Sequence, residues 1–142
     1  MSAVLRAYGE HFDVDAFLGG CTLPICAIKR RGEPVFRNRQ PHGRTHEKSG
    51  VHISASDADF NDFPLQVEES IQFLRDEAEQ IRRLVAWPGV DGGTLDFGIE
   101  RRDVLVQCDC LPPELVRLAG ELGLGIELSQ YPASGNTEKS AS

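Results

Sequence analysis

Long hydrophobic runs are missing from this 142-residue chain, and aromatic side chains are few, with one tryptophan, two tyrosines and seven phenylalanines. No stretch approaches the ~20 consecutive apolar residues of a membrane-spanning helix. The first residues, Met1-Ser2-Ala3-Val4-Leu5-Arg6, lack the basic-then-apolar order of a secretory leader, so a cytoplasmic protein is expected. Only four cysteines are present, at positions 21, 26, 108 and 110, too few for a disulfide scaffold and consistent with free thiols. Also missing are a Gly-x-Ser-x-Gly elbow, a phosphate-binding Walker loop, a dinucleotide fingerprint and a His-Glu-x-x-His zinc motif. No cofactor is expected, and the balance leans towards a non-enzymatic protein.

What is present suffices for one domain. The chain is 40% hydrophobic and 26% charged, and a chain of this size buries roughly two-thirds of its unfolded surface without staples. Residues 1–131 read as a single α+β domain and residues 132–142 as a disordered tail rich in Ser, Ala, Gly and Asn. The formal net charge of −7 is unevenly spread. Between Lys29 and Lys48 seven cations face two carboxylates, a net +5, so the remainder carries −12. That basic stretch also contains His42, His46 and the breakers Gly32, Pro34, Pro41 and Gly43, which predicts a long surface loop or frayed hairpin.

Val4 to Tyr8 reads as a first strand, followed by Asp13 as N-cap of a short helix carrying Val14, Phe17 and Leu18 inward. Ile25 to Ile28 and Val51 to Ser54 follow as strands. Val67, Ile71, Leu74, Ala78, Ile81 and Val85 recur at steps of four and three, which predicts one amphipathic helix from Pro64 to Ala86, stopped by Trp87-Pro88-Gly89. Thr94 to Gly98 and Val104 to Cys110 read as an antiparallel pair of strands. Pro112-Pro113-Glu114 opens a helix, Gly123 caps it, and Leu124 to Ser129 is the last strand. The predicted order is β-α-β-β-α-β-β-α-β, a mainly antiparallel sheet with helices on one face and ferredoxin-like split βαβ units. A weak internal echo, residues 4–28 against 104–128, supports that symmetry.

Several constellations carry candidate chemistry. Cys21-x4-Cys26-x15-His42-x3-His46 approaches a Cys2His2 zinc spacing, but Pro41 and Gly43 flank His42 and oppose the helix that such histidines need, so no metal site is assigned. Cys26 reads as a buried strand thiol. Cys108 and Cys110 fall on one face of a predicted strand, where core packing is favoured over a redox pair. Asp57-x-Asp59-x-x-Asp62 has half the look of a calcium loop, yet capping of the following helix explains it better. His11 and His52 stand alone. The candidate binding set is Arg31, Glu33, Arg37, Arg39, His42, Arg44 and His46 in the basic loop, with Asp57 and Asp59 in the acidic turn.

Asp13-Val14-Asp15-Ala16-Phe17-Leu18, Leu23-Pro24, Arg31-Gly32-Glu33-Pro34, Leu111-Pro112-Pro113-Glu114-Leu115 and the run Leu122 to Tyr131 together resemble the bacterial domain-of-unknown-function family 4279. The resemblance spans residues 9–131 and implies a small stand-alone bacterial cytosolic α+β protein. Where many members carry a tryptophan in the third strand, this chain has Val51-His52-Ile53. No activity is established for that family, so the resemblance implies no site residue; some members look like immunity or accessory proteins. Two functions are expected from these features. The first is an interaction protein of the immunity or neutralising kind, whose acidic body attracts a basic protein partner and repels nucleic acid; no membrane partner is expected. The alternative is a small-anion or nucleotide binder that closes loop 29–48 over its ligand. A third arrangement needs no ligand: the loop cations lie back on the acidic helix.

Overall fold

The computed structural model describes residues 1–35 and 43–133. Five strands form one sheet: β1 (Ala3–Gly9), β2 (Ile25–Lys29), β3 (Ser49–Ser56), β4 (Gly92–Glu100) and β5 (Leu124–Tyr131). Four helices accompany them: α1 (Val14–Leu18), α2 (Phe63–Asp76), α3 (Ala78–Val85) and α4 (Pro113–Glu121). The strand order is β2-β3-β1-β4-β5, antiparallel except for the parallel β4/β5 pair. β1 and β2 run parallel with β3 between them, and β3 and β4 run parallel with β1 between them. These are two interleaved split βαβ units, to which α4 and β5 add a third crossover.

Alternation dictates which face is buried. Leu5 of β1 pairs with Ile53 of β3 and with Leu95 of β4, and all three are fully buried. They join Phe17 of α1, Leu74 of α2, Ile81 and Leu84 of α3 and Leu115 of α4 in one core, so every helix covers the same face of the sheet. The capping residues read from sequence act as expected. The Asp13 carboxylate accepts from the Ala16 N–H at 3.1 Å, Pro113 opens α4, and Gly123 takes φ +76° after it.

Two expectations are corrected. The single helix 64–86 is two helices meeting at Glu77, whose φ of −107° and ψ of 16° leave the helical region. The hydrogen-bond ladder still runs through it, from Glu77 N–H to Phe73 and from Ile81 N–H to Glu77. The bend lets α2 seat Leu74 and α3 seat Ile81 and Leu84 on one curved core; no proline or glycine marks it. Residues 104–110 are not a strand. β1 is already flanked by β3 and β4, and the free side of β4 takes β5 in parallel, a pairing that requires a crossover of a dozen or more residues. Residues 101–112 and α4 are that crossover, so the predicted antiparallel pair and the echo both fail there. Cys108 and Cys110 are consequently exposed, as is Cys26 on edge strand β2; none of the three packs in the core. The tail expectation falls mostly on residues 134–142, outside the described residues.

No described helix is long and apolar enough to cross a membrane.

Candidate functional site

The helix-free face of the sheet is polar. Arg6 of β1 lies across from Thr94 and His52, 3.4 Å from Asp96 and paired with Glu127. Tyr8 stands two residues on, opposite Gly50 of β3 and Gly92 of β4. With no side chain on either cross-strand neighbour, its ring leans over Gly92, with the hydroxyl within van der Waals range of a Cβ there.

Over this face hangs a ribbon built from the ends of the basic segment. Gly32 N–H donates to His46 O at 2.9 Å, His46 N–H to Glu33 O at 2.9 Å and Val35 N–H to Arg44 O at 2.8 Å, and Pro34 bridges Thr45. The hairpin expectation therefore holds at its described base. Its root is fastened by ion pairs: Arg30 with Asp15 at 2.8 Å and Arg31 with Glu10 at 3.3 Å. The hydrogen bond from Arg30 holds the Asp15 carboxyl below the usual carboxylate range. Neither cation is paired with the acidic outer face of α2 (Glu68, Glu69, Asp76). The fold-back arrangement is thus confined to α1 and the β1–α1 turn among the described residues.

Between ribbon and sheet lies an open groove of about 1000 Å³. Lys29, Arg44 and Lys48 line it, and none of them has a carboxylate partner among the described residues. Lys48 sits over the Tyr8 ring, its Nζ 5.0 Å from the centroid. His46, Glu47 and His52 also line it, as does the Arg6–Glu127 pair. Burial, then the Lys29 and Arg6 charges, push His52 down to about 4, against a smaller opposing pull from Asp96. His52 is therefore neutral at pH 7, and no hydrogen bond joins its side chain or that of His46 to a carboxylate or hydroxyl among the described residues. The groove offers cationic charge, a phenol ring and a neutral imidazole, which is the chemistry of holding an anion.

Of the candidate residues, Arg44 and His46 line this groove, while Arg31 and Glu33 belong to the ribbon base, Arg31 facing a smaller cleft with Glu10. Arg37, Arg39 and His42 lie outside the described residues. Asp57 and Asp59 are elsewhere, beyond the far end of β3. Asp57 meets the N-terminal amine at 3.3 Å and accepts from the Ser54 hydroxyl. The Asp59 carbonyl receives Asp62 N–H and the Gln66 amide, and Asp62 caps α2. The acidic turn is a helix start. No group of three or more described His, Cys, Asp or Glu side chains is placed to hold a metal ion; Cys21 packs against the core while Cys26 is exposed on β2. Sequence reasoning missed Arg6, Tyr8 and His52 as groove residues. The signal was there in the alternation of β1 and β3, where Arg6, Tyr8 and His52 interleave with the apolar Leu5, Ala7, Val51 and Ile53. No family model matches the chain, and neither does any curated protein or solved structure.

Proposed function

We propose that this chain is a non-catalytic binding module that holds a small phosphate-bearing anion, of nucleotide size, between its basic ribbon and the open face of its sheet. What supports the reading is the groove itself: about 1000 Å³, lined by Arg6, Lys29, Arg44 and Lys48 against Glu47 and Glu127, with only Arg6 of the four cations in an ion pair among the described residues. Ligand sites for small molecules span roughly 300–1,000 Å³, and uncompensated cations on a concave surface favour phosphate over neutral ligands. Calorimetric titration with inorganic triphosphate and with ATP, at about 50 mM salt, tests it. Binding in the micromolar range is expected, weakened at least about tenfold in a Lys29→Glu/Arg44→Glu/Lys48→Glu variant that stays folded. Absence of heat and of any thermal shift with both probes up to about 10 mM overturns it.

A second reading rests on the exposed carboxylates of α2, with which no described ribbon residue is paired. They support an interaction protein that meets a basic protein partner through this helix, the role expected of an immunity or neutralising protein. Retention by a lysine-rich peptide column that is lost on Glu68→Lys/Glu69→Lys/Asp76→Lys substitution favours it; retention unchanged by those substitutions removes it.

A further inference from the structure

Connection 101–112 carries a feature that the groove does not use. Val104, Leu105 and Val106 are 54%, 102% and 71% exposed, an apolar tip that no described residue covers. It is not a frayed loop, because side chains clamp its base. The Gln107 amide donates to Glu100 O at 3.2 Å and to Asp109 at 2.9 Å, and its oxygen accepts from Arg102 N–H at 2.8 Å. Arg102 in turn pairs with Asp109, whose side chain is 8% exposed. A polar clasp of this kind holds three apolar side chains out in water, where each costs hydration free energy unless a partner covers it.

Beside the tip is a cleft of about 250 Å³ lined by Phe60, Glu100, Tyr131 and Pro132. Phe60 and Tyr131 pack edge to face with centroids 5.7 Å apart, yet remain 44% and 50% exposed. Hydrogen bonds tie the cleft to the base of the tip: Glu100 N–H donates to Phe60 O, Arg101 N–H to Tyr131 O, and the Gln107 amide to Glu100 O. A cleft of this size beside two aromatic rings has room for one branched apolar side chain. The tip itself presents such a side chain in Leu105.

We propose that the chain forms a symmetric dimer in which Leu105 of each protomer enters the cleft formed by Phe60, Tyr131 and Pro132 of the other. A knob and a hole side by side on one surface are what a two-fold axis needs, because one rotation fills both and closes the assembly. The exposed surface of these residues is on the order of 500 Å² per protomer, and doubling it only just reaches the ~1,000 Å² of a specific interface, so the dimer is a weak one.

Sedimentation velocity of the full chain, from about 1 μM to about 500 μM, tests the proposal. The expected result is a concentration-dependent rise from the 15.6 kDa monomer to twice that mass. Leu105→Asp, at a position with no packing to lose, stays monomeric with its thermal midpoint unchanged, and Tyr131→Ala weakens association at least about fivefold. A wild-type monomer throughout the range overturns the proposal, whether the tip then binds phosphatidylcholine vesicles, another protein or nothing. So does a dimer that Leu105→Asp leaves intact.

Discussion

Replacing His52 with glutamine isolates one electrostatic effect of the groove. The folded protein holds His52 at about 4 through burial and the Lys29 and Arg6 charges, whereas the unfolded chain titrates it near ~6.5. The folded pKa is the lower one, so His52 costs no stability above pH ~6.5, where both states are neutral. As pH falls from ~6.5 towards ~4 the unfolded state gains a proton that the folded state refuses, and stability is lost. The full separation corresponds to roughly 3 kcal/mol and the loss at pH ~5 to about 2 kcal/mol. Solvent screening of a half-buried imidazole reduces that to about 1 kcal/mol. Urea denaturation of wild type and His52→Gln at pH ~7.5 and ~5 reads it directly, because the carboxylates common to both proteins cancel in the difference. The variant should lose about 1 kcal/mol less than wild type on acidification. Equal losses refute the argument, as does an imidazole pKa above ~6 by NMR titration. A bound polyanion offsets the Lys29 and Arg6 charges, so saturating ATP should move the same NMR pKa upward; a ligand that binds and leaves it unmoved lies outside the groove.

Three further outcomes concern the frame that holds the groove. Gly89 has φ +89°, and a Cβ there would press on the His11 carbonyl, so Gly89→Ala should cost about 3 kcal/mol or more in urea midpoint analysis; a cost below about 1 kcal/mol refutes the close crossing of these two turns. Gln66 is fully buried and donates to Asp59 O and Gly98 O at 3.1 and 2.9 Å; Gln66→Ala removes both bonds, leaving Asp59 O with the Asp62 N–H alone, and should cost about 2–4 kcal/mol, and a neutral result would remove its bridging role between α2 and β4. Asp62→Ala deletes the α2 cap and should lower stability by about 1 kcal/mol, with no change in calcium response, whereas a calcium-dependent thermal shift in wild type would reinstate the acidic turn as a metal site.

Local pattern made several parts of this protein legible in sequence. The caps Asp13, Asp62 and Gly123, the proline start of α4 and the period-two strands at Val51 and Ile53 each depend on residues within a few positions of one another. Their physics is complete at short range, and they stand in the structure as read. The charge map was legible too: +5 on residues 29–48 and −12 elsewhere locate a basic arm on an acidic body before any fold is known.

Tertiary structure alone decided the remainder, because each remaining question was a competition between distant segments. Val104-Leu105-Val106 has the composition of a strand, but pairing requires an open edge, and β5 takes the free edge of β4 in parallel, leaving these residues to serve as its crossover. The helix bends at Glu77 because two apolar stripes must follow one curved core, a demand invisible in their spacing. The groove belongs to the same class. Arg6, Tyr8, Lys29, Arg44, Lys48 and His52 come from three strands and a ribbon, and only the order β2-β3-β1 brings them together. The scarcity of aromatics gains a local meaning in that setting. Tyr8 is one of only two tyrosines, and it sits between two strand glycines beneath Lys48, placed there by cross-strand register, which no local window of sequence contains.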